Sequence, residues 1–261
     1  MLSKYLWESK KTNMTTYNCF ANIYDKLMEH APYEEWTKFT LQQINIHNKA
    51  VKNIVDLGCG TGIITVNLAK LGFDVTGIDS SSDMLTAAAD RAIKTNTDVT
   101  WIHQDIRSLE GFTDIDLFIS YCDVMNYIVN KEELISVFNR VYSSLSPEGM
   151  FIFDIHSLNY VNNFLINKTF SEVTEEIVYI WDCEQGEIPG EMFHYLTFFQ
   201  KDIDKYVRFD EMHHQQTYEL KVYRNLLKRS GFSEIHFYAD FNIENDFLEK
   251  NSERIFIVAE K

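Results

Sequence analysis

The chain has 261 residues, 45% of them hydrophobic, which is enough for one sizeable core with room for an appended lobe. Three prolines and ten glycines argue against a fibrous or disordered chain, and 24 basic against 39 acidic side chains argue against a nucleic-acid partner, whose phosphates are held by Lys and Arg. The net charge of −15 suits a cationic or amine-bearing small substrate, and suits a solubilising surface equally well.

The region to about Lys49 reads as helical, with Phe20, Ile23, Tyr24 and Leu27 at helical spacing; Ala31-Pro32 breaks it, and a second helix starts at Glu34. From Val51 strands alternate with helices. Strands are expected at Asn53–Leu57, 73–78, 99–102, Ile115–Ser120 and 150–155, and helices at 62–71, 81–94 and 131–145. This alternation with short connections predicts an α/β fold, a parallel sheet covered on both faces. After His156 the texture changes. Residues 171–220 hold 12 acidic and three basic side chains and many aromatics, with turn signals at 187–190 and 201–204, so an antiparallel insertion is expected. A helix over 218–230 stops at Gly231, and strands at 235–238 and Arg254–Glu260 close the chain. Too few residues separate these two for a crossover helix, which makes them antiparallel neighbours.

The most informative segment is VDLGCGTG at 55–62, three alternate glycines between a strand and a helix. Without Cβ atoms the backbone turns sharply and approaches a ligand closely. The spacing is G-x-G-x-G, not the G-x-G-x-x-G of dinucleotide sites, and Asp56 would repel a pyrophosphate. A ligand bearing an ammonium and a sulfonium suits that carboxylate, which points away from a nicotinamide-dependent oxidoreductase and towards S-adenosylmethionine. Asp79 closes the second strand, 21 residues after Gly58. It can accept both ribose hydroxyls or N-cap the helix that follows. Asp105 has two roles open as well, holding an adenine amino group or capping its own turn.

VDLGCGTG at 55–62, GIDSS at 77–81, QDIRSL at 104–109 and LSPEGMFIFDIH at 145–156 resemble the successive motifs of class I S-adenosylmethionine-dependent methyltransferases. Within that class the chain is similar to the small-molecule branch of glycine and aminosugar N-methyltransferases. The resemblance implies a Rossmann-like, seven-stranded mixed sheet with helices on both faces, the last strand antiparallel. It also implies an N-terminal helical lid over 1–50, a core of 51–157 and 218–261, and a β-rich substrate cap over 158–217, inserted after the fifth strand. Cofactor contacts would come from Asp56, Gly58, Cys59 and Gly60, then Asp79, Ser80 and Met84, then Gln104, Asp105 and Ile106, with Tyr121. Tyr17 and Trp36 would cover the cofactor, Trp36 near its carboxylate, unless these aromatics simply pack the core.

On the acceptor side, the fourth strand runs into Ser120-Tyr-Cys-Asp-Val-Met-Asn-Tyr127, without the N/D-P-P-Y tetrad of enzymes that methylate planar amide or adenine nitrogens. Asp123 and Asn126 are expected towards the acceptor; Tyr127 either joins them or packs. His156 ends the fifth strand and is the candidate general base, with a hydrogen-bonded structural histidine as the other reading. Asp123 and Tyr17 are further catalytic candidates. Glu211 and His213 share one strand face and could line the cap, or could face solvent. Many relatives carry a Gln-Arg pair just beyond; here Gln215-Gln216 stands instead, so an expected cation is missing. Cys19, Cys59, Cys122 and Cys183 are scattered, and the histidines form no H-E-x-x-H, so no metal site is expected. The first 13 residues lack an export signal and no membrane span is evident, so a cytoplasmic monomer or homodimer is expected. Methyl transfer to a small molecule, with an amine as acceptor, is the expected activity. Protein or O-methylation and non-catalytic cofactor binding are the alternatives.

Overall fold

The computed structural model describes residues 23–244 and 252–261. Strands β1 (Asn53–Leu57), β2 (Asp74–Asp79), β3 (Thr100–His103), β4 (Ile115–Ser120) and β5 (Leu145–His156) are parallel, in the order β3-β2-β1-β4-β5. Four strands then form a separate antiparallel meander: β6 (Lys168–Val173), β7 (Ile177–Gln185), β8 (Glu191–Asp202) and β9 (Lys205–Gln216). Strand β10 (Glu234–Ala239) lies at the edge of the main sheet, and β11 (Arg254–Glu260) runs antiparallel between β10 and β5, giving seven strands.

Strand alternation sends neighbouring side chains to opposite faces, and both faces are covered. On one face Val55, Phe118, Phe151 and Ile257 meet helices α4 (Lys131–Ser144) and α5 (Leu220–Ser230), through Leu134, Phe138, Tyr223 and Leu227. On the other, Ile54, Leu117, Ile152 and Phe256 meet α1 (Tyr33–Ile46) and α2 (Ile63–Lys70), through Trp36, Phe39, Ile64 and Leu68. Helix α3 (Ser82–Lys94) starts where the Ser81 hydroxyl accepts from the Met84 N–H at 3.3 Å. In α4 the Asn130 side chain caps the Glu133 N–H at 2.7 Å. Helix α5 stops at Gly231, whose φ of 112° suits a residue without Cβ.

Two boundaries differ from expectation. The helix expected over 131–145 ends at Ser144, because Leu145 is extended and already pairs with Ile115. Residues 146–149 then bulge before pairing resumes at Met150 with Leu117, and this turn-like Ser-Pro-Glu-Gly stretch conceals the early start of β5. Between β8 and β9 the turn is only Ile203-Asp204, with Asp202 opposite Lys205 and Ile203 at a φ of 55°. Residues 23–27 are helical, and Ile23 packs with Ile177 and Phe198 of the meander.

Candidate active site

Strand order reverses between β1 and β4, and the carboxyl ends of these strands open there into a crevice, the usual ligand position in such sheets. A cleft of about 600 Å³ occupies that position. The glycine loop makes one wall. Gly58 and Cys59 both donate to the Ile78 carbonyl, at 2.8 and 2.9 Å, which hooks the loop over the end of β2. Gly58 and Gly62 have φ of 74° and 76°, and a Cβ at either would strike Val124 or Trp101. Gly60 differs: its φ is 53° and a Cβ there would meet nothing within 4 Å. The loop thus leaves backbone bare on its open side.

Asp79 ties the loop to β2, accepting from Gly60 N at 2.9 Å and Ser81 N at 2.8 Å. Ser81, not Asp79, is the helix cap. Burial pushes the Asp79 carboxyl above its usual range. Asp56 is buried with its carboxylate on the cleft wall, and the Thr65 hydroxyl donates to it at 2.6 Å. Burial, with a further push from Asp79, raises its pKa to about 7 although the Thr65 bond pulls the other way. No cation is among the causes of that shift.

Most of the residues expected from sequence come together here. Asp56, Gly58, Cys59, Gly60, Asp79, Ser80, Met84, Gln104, Asp105, Ile106 and Tyr121 line the cleft, with Tyr127, Glu211 and His213 at the meander end. Asp105 also caps its own turn, accepting from the Arg107 N–H at 2.8 Å and pairing with the Arg107 guanidinium at 2.6 Å. That pairing holds its carboxyl below the usual range. Tyr121 hydrogen-bonds Thr40 at 2.6 Å with its hydroxyl buried. Tyr17 lies outside the described residues.

Four others lie behind the cleft wall. Trp36 is buried, and its indole donates to Asp154 at 2.5 Å. Asn126 is fully buried as a strap, donating to the Gln216 carbonyl and accepting from His156 N. Asp123 turns inward, receiving the Gln215 amide at 2.8 Å and the Arg254 guanidinium at 3.1 Å. His156 stands 3.5 Å from Asp123, with Nδ1 buried and unpartnered. Burial lowers its pKa to about 4 against the pull of Asp123, so it is neutral at neutral pH. The geometry favours the structural reading of His156 over the base, since its ring does not line the cleft.

Sequence reasoning missed Arg254. It bridges Asp123 and Asp154 and lies over the Trp36 ring at 5.3 Å, a buried cation behind the cleft wall. Burial opposes its charge, but Asp154 and Asp123 together hold it firmly protonated. The available signal was an arginine opening a strand that is otherwise apolar up to its last residue. A latch was missed too. Asp25 accepts from the Thr61 hydroxyl at 2.6 Å and from Arg91 at 2.5 Å, tying residues 23–27 to the glycine loop and α3. Beyond the cleft, His47, His236 and Glu260 bring ligand atoms within 4.8 Å of one another, but Lys49 already sits 2.8 Å from the Glu260 carboxylate and supplies a cation there. Among the described residues no helix is long and apolar enough to cross a membrane.

A family model described as a methyltransferase domain matches residues 54–149. The chain is 39% identical over 248 residues to a protein named "Putative methyltransferase" in Geobacillus sp. (strain WCH70), covering 94% of this chain and all of that one. It is 37% identical to "Putative methyltransferase YqeM" of Bacillus subtilis (strain 168), over 94% and 97% of the two chains. A crystal structure of an S-adenosylmethionine-dependent methyltransferase from Clostridium acetobutylicum superposes with a TM-score of 0.84 at 30% identity, covering 94% of this chain and 98% of that one. The chain belongs to the class I S-adenosylmethionine-dependent methyltransferases, and its cofactor is S-adenosylmethionine. The cleft fits that cofactor on its own chemistry: bare backbone at Gly60, and a buried carboxylate at Asp56 whose raised pKa no cation among the described residues offsets.

Proposed function

We propose that the methyl acceptor is a small-molecule amine, received beneath a substrate cap formed by residues 158–217. The observation that carries this reading is Glu211. Glu211 lines the meander end of the cleft, and desolvation alone raises its pKa, with no cation among the described residues offsetting that shift. A cationic or amine-bearing molecule would supply that missing charge. Beside it His213 is held neutral by burial, its pKa lowered to about 4, and its Nδ1 lies 3.0 Å from the Tyr127 hydroxyl. A low pKa makes this imidazole a weak base, so in this reading His213 takes the place of His156 only as a hydrogen-bonding group that orients the amine, and the ammonium loses its proton to water before attack. A 24% identical relative that covers 85% of this chain is named glycine/sarcosine N-methyltransferase, in Aphanothece halophytica, which is in keeping with an amine.

On the cofactor side Asp79 would receive the ribose hydroxyls through lone pairs that its two backbone bonds leave open. Asp56 would face the ammonium, and the Gly58–Gly60 backbone would lie along the ligand. Bound S-adenosylmethionine supplies an electrophilic methyl group on a sulfonium. The protein orients the acceptor in line with that methyl and excludes water, effects worth up to roughly 7–11 kcal/mol where alignment is good.

The test is methyl transfer from labelled cofactor to a panel of primary and secondary amines, matched alcohols and an unfolded protein. Amines are expected to turn over, and Glu211→Gln should raise KM for the amine about tenfold, the worth of one charge-assisted contact. Transfer confined to hydroxyls or to protein would overturn the proposal.

A further inference from the structure

One row of side chains on β9 faces the core: Glu211, His213 and Gln215 alternate on the same strand face. The first two line the cleft, whereas Gln215 is buried, 3% exposed, and reaches past it. Behind Gln215 a line of hydrogen bonds crosses the meander from strand to strand. The Trp181 indole on β7 lies 2.9 Å from Nδ1 of His194 on β8. Nε2 of His194 lies 3.1 Å from Oε1 of Gln215. The amide nitrogen of Gln215 lies 2.8 Å from Oδ2 of Asp123.

The chemistry of the first member fixes the direction of all the rest. An indole N–H can only donate, so Nδ1 of His194 must be the acceptor and Nε2 must carry the proton. Nε2 then donates to the Gln215 oxygen, which leaves the Gln215 amide hydrogens pointing at Asp123. Asp123 receives this bond on one oxygen and the Arg254 guanidinium on the other, and the guanidinium charge favours its ionised, accepting form against the cost of burial. Every member is satisfied in one arrangement only.

The end of this line matters because of where Asp123 sits. Cys122 and Asp123 both have positive φ, 57° and 54°, an uncommon conformation for non-glycine residues that persists only when the surroundings hold it. Cys122 lines the cleft before them, and the 3-10 turn after Asp123 carries Tyr127 to its hydrogen bond with His213. The meander therefore grips the same turn twice, through Gln215 on the buried side and His213 on the cleft side.

We propose that Trp181, His194 and Gln215 are positioning residues for methyl transfer: their one-way hydrogen-bond line from the meander holds Asp123, and thereby sets Cys122 and Tyr127 against the acceptor. This rests on the acceptor binding at the meander end of the cleft, but its first test needs no acceptor. In the full-length protein labelled with 15N-histidine, His194 should show a protonated Nε2 and an unprotonated Nδ1 at pH 8, where burial, which lowers its pKa, leaves the ring neutral. A protonated Nδ1, or a doubly protonated ring, at that pH overturns the line. The second test is Trp181→Phe, which removes the first donor while keeping an aromatic ring. With whichever acceptor in the panel turns over, kcat should fall about fivefold, the worth of roughly one hydrogen bond, while the cofactor Kd stays within about twofold. A kcat equal to that of the parent would show that the line merely stabilises the meander, and would overturn the positioning role.

Discussion

On the proposed cofactor placement, a single carboxylate sets the pH dependence of binding. Asp56 is buried beside Asp79 and rises to about 7, so below that pH it is mostly protonated. A cofactor ammonium favours the ionised form, and binding under acidic conditions must then expel a proton. Cofactor affinity is expected to rise about tenfold per pH unit from pH 5 towards 7 and to level off above, since one proton is linked to binding. Calorimetry at pH 6 in two buffers of different ionisation heat should register close to one released proton. Asp56→Asn should bind more weakly and lose the pH dependence; an unchanged slope in that variant would place the proton elsewhere. The place of Asp56 on the cleft was legible in sequence because it stands near the end of a strand that runs into alternating glycines. Arg254 was not, because its two acid partners lie 131 and 100 residues away.

At the scale of elements, the short helix over residues 23–27 is joined to three others. Asp25 binds Thr61 of the glycine loop and Arg91 of α3, Lys26 pairs with Glu176 at the β6–β7 turn, and Ile23 packs on Phe198. Thr61 is in turn fixed by Arg91, which donates to its carbonyl at 2.9 Å. The segment therefore closes over the glycine loop and the meander together. Asp25→Ala is expected to speed cofactor release about three- to tenfold in stopped-flow dissociation, the worth of one partly exposed charged contact. The melting temperature should move little, because the main-sheet core is untouched. A release rate equal to that of the parent would show that the latch does not restrain the loop. The elements themselves were readable from strand–helix alternation and turn residues, whereas their ends at Ser144 and Leu145 were not. A pairing partner for Leu145 exists only once β4 lies alongside.

Across the whole molecule, several buried histidines set a common response to acid. His156 and His213 stay neutral in the fold down to about 4, whereas in the unfolded chain they take up a proton near 6.5. Between those values the unfolded state binds more protons, so their contribution to stability is complete above about pH 6.5 and is lost as pH falls towards 4. Each contributes a slope of up to about 1.4 kcal/mol per pH unit. Asp56 acts in the opposite sense in the absence of cofactor, since its raised pKa favours the protonated fold. His156→Asn should therefore flatten the acid limb of a denaturation series run from pH 4 to 6.5, and an unaltered limb would mean that His156 is charged in the fold.

Taken alone, the sequence determined the class of fold, the order of its strands along the chain and the glycine loop. Those rest on local signals: hydrophobic periodicity, turn residues, and glycines close together with a carboxylate. Only the tertiary structure decided which polar residues face the cleft. Asp123 and His156 stand at strand ends, where sequence places acceptor-side groups, yet Arg254 and Gln215 draw Asp123 inward and His156 remains behind the wall. Glu211 and His213, 85 or more residues beyond Asp123 in the chain, reach the cleft instead. The physical reason is that a buried charge must find its partners, and a chain's own order does not reveal which distant segments will supply them.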